Sequence, residues 1–332
     1  HRVLSNVVAG QHEIHAEYAG VVPELASRAH VEAILPVVRE ALAGAGVGLG
    51  MIDLIAVGHR PGLIGPLLVG VTAAKALSLT LGRPLVGVDH VRAHLYSGVM
   101  GEASTENVFP ALGLVVSGGH TALFVVESWS RIRRLGSTID DAVGEAFDKA
   151  ATILGLPHPG GPNLDRLASS PGANDRAHEF PVSRLSRESL DFSFSGLKTA
   201  ILYAVNGVPG PRGAPALPMT EPRRADLAAS FRRAAVDAIM LKLDRAAERI
   251  GLASGGLVLT GGGVTANSLL RRRLTEWGRA TGRDVRLPAL SLCMDNAAMI
   301  AGLGAALYAA GRTDGMDLQA DPSALTDDEV GV

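Results

Sequence analysis

Apolar and polar positions along the chain follow two periods, one typical of strands and one typical of helices, and together they predict an α/β protein. Short apolar runs predict strands at 1–11, 54–57, 84–88, 111–116, 122–126, 257–260 and near 285. Apolar positions that recur with helical spacing predict helices over 21–43, 67–79, 142–154, 224–250 and 295–309. The first of these helices is expected to be interrupted or bent near Pro36. Strands that alternate with helices are typical of sheets covered by helices.

Three glycine-bearing turns follow apolar strands, at 61–65, 117–121 and 261–267. Glycine in such a turn lets backbone N–H groups close on an anion, and a helix that begins there adds positive potential. Together the three turns favour a nucleotide or another phosphorylated ligand. None of them has the spacing of a P-loop or of a dinucleotide-binding fingerprint, so neither of those sites is expected.

Two histidines, His90 and His94, come directly after a predicted strand and lie one helical turn apart. On a helix this spacing places both imidazoles on one face, where a distant carboxylate can complete a site for a divalent transition metal. The same pair also arises by chance on solvated helices. Asp148, Asp165 and Asp295 are candidates for a metal ligand or for ribose binding, with helix capping as the alternative. Asp295 becomes a ligand only if its helix docks beside the histidine helix.

Composition sets the outer limits of the interpretation. The 332 residues are enough for two domains of ordinary size. Hydrophobic residues make up 47% and charged residues 19%, and no apolar run is expected to span a bilayer, so a soluble protein is predicted. The one cysteine, Cys293, excludes an internal disulfide and favours a reducing cytoplasm. Its apolar surroundings favour a place in the core over a role as nucleophile.

The formal net charge of -2 gives no general signal for a polyanionic partner. Contact with a nucleic acid must then come from a local patch or from a partner subunit. The candidate backbone contacts, each with a solvated face as its alternative, are Arg131, Arg133, Arg134 and the run 271–273.

Several motifs occur in an order that resembles a single family. They are His15-Ala16-Glu17-Tyr18 with 20–28, Pro61-Gly62-Leu63, His90 with His94, 116–121, 140–149, 159–162, 192–199, Gly262-Gly263-Val264 with Ala266-Asn267, and Asp295-Asn296. In this order they resemble the tRNA N(6)-adenosine threonylcarbamoyltransferase family of the bacterial TsaD type. The resemblance covers nearly the whole chain.

The resemblance implies the fold of the actin/Hsp70/sugar-kinase superfamily, with two ribonuclease-H-like α/β lobes and the ligand in the cleft between them. The lobes would comprise 1–109 with about 290–312, and 110–289, and a C-terminal tail would follow over 313–332. The family is an acyltransferase that moves the threonylcarbamoyl group from threonylcarbamoyl-AMP to the N(6) amine of the adenosine 3′ of the anticodon. Its tRNAs read codons that begin with A. The implied partners are tRNA, a smaller paralogous subunit and a P-loop ATPase, in the cytoplasm and without a membrane.

Carried over position by position, the resemblance assigns His90, His94 and Asp295 to a metal triad, with Fe2+ expected ahead of Zn2+. It assigns the adenylate to Val116, Ser117, Gly118, Gly119, His120, Asp148, Gly161, Asp165 and Asn267. The cation would polarise the threonylcarbamoyl carbonyl, and loop amides would hold the departing AMP while Asp148 and Asp165 orient its ribose. No protein nucleophile and no catalytic residue beyond the metal centre is expected.

The chain departs from the family at a few positions. The family opens with a strand and an acidic turn that faces the ligand phosphates, and no residues before His1 supply them, so reduced activity is expected of these residues alone. Arg92 stands between the histidines where the family has Glu, and Gly58 and Arg60 replace a Thr and a Gly ahead of Pro61. Since Arg92 is two residues from each histidine, it should point away from the metal face.

Two alternatives of other classes stay open. A zinc metallopeptidase of the helix type needs a Glu directly after the first histidine as general base. Here Asp89 precedes His90 and Val91 follows it, so no Glu is placed for that work. The other alternative is a non-catalytic nucleotide-binding scaffold of the same superfamily.

Overall fold

The strands and helices predicted by the two periods are present in a computed structural model of the chain, which describes residues 2–11, 22–101, 109–183, 185–186, 188–210 and 214–323. The helices are α1 (Pro23–Ala45), α2 (Ile64–Leu81), α3 (His90–Ser97), α4 (Val143–Ile153), α5 (Gly160–Ala168), α6 (Ser195–Asn206), α7 (Glu221–Arg249), α8 (Ser268–Thr281) and α9 (Ala297–Ala309). The strands are β1 (Ile55–Arg60), β2 (Leu85–Asp89), β3 (Ala111–Val116), β4 (Thr121–Val126), β5 (Ile132–Ser137), β6 (Leu257–Gly261) and β7 (Asp284–Arg286). The motif residues 15–18 lie outside the described residues.

The chain divides into two units. One consists of His1–Asn107, Glu127–Ile132 and Asp295–Val332, and the other of Val108–Val126 and Arg133–Met294. In the described part of the first unit, β1 and β2 form a parallel pair joined by α2. An apolar cluster beside this pair contains Val71, Ala74, Leu85 and Leu318. The predicted division into lobes stays a prediction.

The second unit contains a five-stranded sheet in the order β5-β4-β3-β6-β7. β3 and β4, joined by the glycine-bearing turn at 117–121, form an antiparallel hairpin, whereas β6 pairs in parallel with β3 and with β7. Every residue of β3, β4 and β6 is buried, because helices α4 to α8 pack apolar side chains around the sheet. This confirms the predicted α/β class and places the glycine turns at strand ends.

Three local predictions differ from the structure. Residues 2–11 form no strand, since no described strand lies beside them, and Ser5 Oγ instead donates to the carbonyl of Ala41 in α1 at 2.7 Å. α1 runs continuously through Pro36. β5 was not predicted because Arg133, Arg134 and other polar positions interrupt its apolar pattern.

The described residues from 313 to 323 differ from the predicted C-terminal tail. Asp314 forms a bridge with Leu85 of β2, and its Oδ2 accepts a hydrogen bond from Gly87 N at 2.8 Å. Leu318 is buried in the apolar cluster of the first unit. The end of the described chain is therefore part of this unit, because it completes both the hydrogen bonding and the core of the β1–β2 pair.

One described helix, α2, is long and apolar enough to cross a membrane by length and composition. The expectation that no such run exists was therefore wrong. A single helix of this kind is weak evidence for a membrane segment, because core helices of soluble proteins meet the same criterion. In the first unit α2 packs against α1 and β1.

Candidate metal centre and nucleotide-binding loops

His90, His94 and Asp295 lie together in the first unit, as the sequence predicts for a metal triad. Their candidate ligand atoms all lie within 4.8 Å of one another. The Nε2 atoms of His90 and His94 lie 3.3 and 3.2 Å from Oδ1 of Asp295. The two imidazoles meet edge to face with their ring centres 4.6 Å apart. The arrangement offers two nitrogens and one carboxylate oxygen to a single cation.

Helix ends set the positions of these three side chains. α3 begins at His90 immediately after β2, and Asp89 caps it by accepting a hydrogen bond from Arg92 N at 3.0 Å. α9 begins two residues after Asp295, and Asn296 caps it by accepting from Met299 N at 2.9 Å. Asp295 is thus free of the capping role that the sequence left open.

Close contact between α3 and α9 brings the carboxylate to the histidines. α9 packs against α3, and a Cβ on Gly302 would lie 2.5 Å from the ring of Tyr96. Glycine at this position lets the two helices approach each other. The condition for Asp295 to be a ligand, that its helix docks beside the histidine helix, is met.

The electrostatics of the triad fit a cation. The His94 side chain is fully buried; among the described residues its Nδ1 has no hydrogen-bond partner, and its Nε2 lies 3.2 Å from Asp295 Oδ1. Burial lowers the pKa of His94, which favours the neutral imidazole that binds metals. Burial also opposes charge on His90, but the hydrogen bond to Asp295 outweighs it and raises the pKa of His90. Burial opposes charge on Asp295 as well, but hydrogen bonds to the two histidines hold the pKa of Asp295 far below its usual range. A buried imidazole nitrogen without a partner is costly unless a ligand satisfies it.

Arg92 is used away from the triad. Its Nη2 donates to the carbonyl of Ile132 at 3.4 Å, which agrees with the orientation expected from the spacing. Asp89 is occupied as a helix cap, and the triad contains no Glu. The chemistry of these residues therefore does not resemble the histidine-glutamate site of a metallopeptidase.

The turn between β3 and β4 holds the first part of the predicted adenylate set, from Val116 to His120. Ser117 N donates to the carbonyl of His120 at 2.7 Å, and His120 N donates to Ser117 Oγ at 3.0 Å. A Cβ on Gly118 or Gly119 would meet no atom within 4 Å. The two glycines therefore leave room for a ligand against their backbone.

Two further glycines support this turn from behind. A Cβ on Gly144 would lie 2.5 Å from the Ser117 carbonyl oxygen, and a Cβ on Gly262 would collide with the carbonyl of Val116. Gly262 has a φ of 96°, a conformation that favours glycine. Backbone of α4 and of the β6 turn thus packs directly against the loop and fixes its shape.

Asp148 and Gly161 are joined in the structure. Gly161 N, in the first turn of α5, donates to Oδ1 of Asp148 on α4 at 3.0 Å. The neighbouring Gly160 is required by close packing, since its Cβ would lie 2.8 Å from Asp148 Cα. The residues 160–162 form the start of α5, which Pro159 precedes.

Asp165 and Asn267 both accept hydrogen bonds from backbone N–H groups in the first turn of α8. Asn267 Oδ1 accepts hydrogen bonds from Leu269 N and Leu270 N at 3.1 Å. Asp165 Oδ2 accepts from Ser268 N at 3.0 Å, and its Oδ1 accepts from Arg232 Nη1 at 2.7 Å. Sequence reasoning missed Arg232 and Ser268, because nothing in the sequence distinguishes Arg232 from the adjacent Arg233.

Several arginines considered as tRNA contacts have partners within the protein. Arg271 Nη1 donates to the carbonyls of Thr265 and Pro288 at 3.2 and 3.1 Å. Arg273 pairs with Asp237 at 2.9 Å. Cys293 is buried, which confirms its interpretation as a core residue.

Comparison with known proteins identifies the family. The model of the tRNA N6-adenosine threonylcarbamoyltransferase family matches residues 2–302. A tRNA N6-adenosine threonylcarbamoyltransferase from Anaeromyxobacter sp. (strain Fw109-5) is 50% identical over 325 residues, covering 97% of this chain and 92% of that protein. Another of the same name, from Symbiobacterium thermophilum, is 47% identical over 322 residues, 97% of this chain and 89% of that protein.

Solved structures show a related fold. T. kodakarensis HypF matches 84% of this chain and 43% of its own chain, with a TM-score of 0.59 and 18% identity. Full-length HypF in its phosphate- and nucleotide-bound form matches 83% of this chain and 49% of its own, with a TM-score of 0.54 and 13% identity. At these identities the likeness concerns the fold, and it agrees with the predicted two-lobed α/β class. The family model and the relatives together show that the chain belongs to the tRNA N6-adenosine threonylcarbamoyltransferase family.

Proposed function

We propose that this chain transfers the threonylcarbamoyl group of threonylcarbamoyl-AMP to the N(6) amine of the adenosine 3′ of the anticodon, in tRNAs that read codons beginning with A. The chain's membership of a transferase family named for this modification supports the proposal. The observation that carries it is the convergence of ligand atoms from the buried imidazole of His94, from His90 and from Asp295. Neither a peptidase nor a non-catalytic scaffold is favoured by these findings.

His90, His94 and Asp295 would hold one divalent cation. Imidazole and carboxylate ligands suit both iron and zinc, and we assign Fe2+ ahead of Zn2+. When bound, the cation supplies Lewis-acid polarisation of the threonylcarbamoyl carbonyl. The contribution of the chain is to keep His94 neutral by burial and to leave Asp295 outside the cap of α9.

The adenylate would be bound by nine residues of the second unit, namely Val116, Ser117, Gly118, Gly119, His120, Asp148, Gly161, Asp165 and Asn267. The open backbone of Gly118 and Gly119 suits the phosphate, and the carboxylates of Asp148 and Asp165 suit ribose hydroxyls. The adenosine amine attacks the carbonyl carbon, a C–N bond forms, the bond to the phosphate oxygen breaks, and the amine proton is released to solvent. Because AMP is a good leaving group, holding the reactants and stabilising charge suffices without a protein nucleophile.

We propose that the chain acts in the cytoplasm with a smaller paralogous subunit and a P-loop ATPase. Large apolar side chains are exposed on α1 and α2 of the first unit, among them Val31, Leu35, Leu68 and Leu79. Several large exposed apolar side chains on two neighbouring helices favour a protein interface there. These side chains are the feature of the described residues that best supports a protein partner.

The proposal is tested by His94→Ala and His90→Ala in a reconstituted system that contains the full-length protein, its partners, tRNA, threonine, bicarbonate and ATP. Threonylcarbamoyladenosine in digested tRNA is expected to fall to background in both variants. His178→Ala, at a half-buried histidine of the second unit outside the triad and the adenylate set, is the matched control and should leave the yield unchanged. Undiminished modification by the triad variants would refute the metal assignment. Release of peptides from a protein substrate, lost in the same variants, would favour the peptidase.

A further inference from the structure

Arg232 is a buried cation in the middle of α7, where its exposure is 8%. Its Nη1 donates to Asp165 Oδ1 at 2.7 Å and to Ser169 Oγ at 2.6 Å, and its Nη2 donates to the carbonyl of Ala168 at 2.9 Å. A buried guanidinium is costly unless its donors are satisfied in this way. The arginine is therefore hydrogen-bonded to the C-terminal turn of α5, where its positive charge also complements the helix dipole.

The carboxylate of Asp165 links this arginine to α8. Its Oδ1 accepts a second hydrogen bond, from Ser268 Oγ at 3.0 Å, and its Oδ2 accepts one from Ser268 N at 3.0 Å. Ser268 is the first residue of α8 and follows Asn267 directly. One ion pair thus holds together helices α5, α7 and α8, which carry Gly161, Arg232 and the neighbour of Asn267.

These hydrogen bonds leave the Asp165 carboxylate able to accept one more hydrogen bond. Each carboxylate oxygen can accept about two hydrogen bonds. Oδ1 already accepts from Arg232 and Ser268, whereas among the described residues Oδ2 accepts only from Ser268 N. The side chain keeps 17% of its surface exposed. A carboxylate can only accept, so the free position on Oδ2 suits a hydroxyl donor and repels a phosphate.

We propose that Arg232 is a positioning residue that fixes the Asp165 carboxylate so that Oδ2 accepts a hydrogen bond from a ribose hydroxyl of the adenylate. The inference rests on the proposed function, because it requires the adenylate to bind beside Asp165. A purely structural role for the same ion pair makes a different prediction. It would affect all nucleotides equally, whereas the positioning role acts only on those with the hydroxyl.

The test compares binding of AMP, 2′-deoxyAMP and 3′-deoxyAMP to the full chain by titration calorimetry. The wild type is expected to bind AMP at least about tenfold more tightly than one or both deoxy analogues, because the analogue lacks one hydrogen bond to a charged group. Arg232→Met is expected to weaken AMP binding to the level of that analogue, without changing the affinity for the analogue itself. Asp165→Asn combined with Arg232→Met should show no further loss beyond Asp165→Asn.

Two other variants make the comparison specific. Arg232→Lys keeps a donor toward Oδ1 and should restore part of the preference for AMP. Arg233→Met is the matched control, since Arg233 is adjacent on α7 but donates to the carbonyl of Asp175 at 2.7 Å and not to Asp165. It should leave all three affinities unchanged. Thermal unfolding checks each variant, and if Arg232→Met does not fold, the comparison is made with Arg232→Lys and Ser268→Ala, each expected to lower the AMP preference.

The outcomes separate the inference from the function on which it rests. If the wild type prefers AMP and Arg232→Met keeps that preference, the positioning role is overturned and the proposed function stands. An equal loss for AMP and the deoxy analogues would also overturn it, in favour of a structural ion pair. A wild type that binds none of the three nucleotides would overturn both the adenylate site and the inference.

Discussion

A single methyl group is enough to test whether the β3–β4 turn faces a ligand. A Cβ on Gly118 meets no protein atom within 4 Å, so Gly118→Ala should leave the thermal unfolding temperature nearly unchanged. Placed against the phosphate, the methyl group should weaken AMP binding roughly tenfold, by analogy with the cost of overpacking a closed contact. Gly196→Ala, also in open space but in α6, is the control for binding. Equal AMP affinity in wild type and Gly118→Ala would place the phosphate elsewhere.

Asp140 illustrates how one exposed carboxylate orders a loop. It accepts hydrogen bonds from Ser193 Oγ at 2.6 Å, Ser195 Oγ at 2.7 Å and Phe194 N at 2.8 Å, at the start of α6. Desolvation opposes its charge, but these donors lower its pKa below the usual value. Asp140→Asn should therefore lower the free energy of unfolding at pH 7 by up to about 1 kcal/mol, because the donors of Ser193, Phe194 and Ser195 lose a charged acceptor.

The pH dependence of Asp140 has a definite sign. A carboxyl whose pKa is lower in the folded state stabilises the fold above its unfolded pKa, and this contribution is lost as pH falls through the folded pKa. The difference in urea midpoint between wild type and Asp140→Asn should be constant near neutrality and shrink below about pH 4. A difference that grows on acidification would contradict the hydrogen bonding to Ser193, Phe194 and Ser195.

At the scale of elements, the spacing of α3 and α9 should control metal affinity. Gly302→Ala places a Cβ 2.5 Å from the Tyr96 ring, which forces α9 away from the helix that carries His90 and His94. We expect the Kd for Zn2+ or Fe2+, measured by competition with a chelator, to rise about tenfold, or about 1.4 kcal/mol. Gly304→Ala is the matched control, because its Cβ would clash equally closely but with Ala56 of β1. Both should lower the unfolding temperature, and only Gly302→Ala should weaken metal binding.

Helices and strands were predictable where their buried positions give the sequence a regular apolar pattern. β3, β4 and β6 are buried throughout and appear as apolar runs, and α7 shows a clear helical period. β5 was not predicted because it lies at the edge of the sheet and buries few of its residues, so its sequence lacks a continuous apolar run. The start of α9 was placed too early because a cap is decided by side-chain geometry, and Asn296 rather than Asp295 supplies it.

The candidate site was predictable in its ligand types and not in its supporting contacts. His90 and His94 are neighbours through helix spacing alone, and the resemblance supplied Asp295. Arg232 reaches Asp165 across 67 positions of sequence and Ser268 across 36, and such pairs are fixed only by the packing of whole helices. The sequence therefore indicates candidate ligand-binding residues better than it indicates the residues that hold them in place.

At the scale of the molecule, the exposed apolar side chains of α1 and α2 predict where a protein partner binds. Leu35 is 61% exposed and Leu79 is 75% exposed, and burying such side chains stabilises a complex by about 1.5–3 kcal/mol each. Leu35→Asp with Leu79→Asp should therefore abolish co-elution with the proposed smaller paralogous subunit in gel filtration, while AMP binding by the isolated chain stays unchanged. Leu217→Asp is the control, since Leu217 is 62% exposed but lies in the second unit. Because an aspartate on a surface that stays in water costs little, a complex that persists in the double variant would place the interface elsewhere.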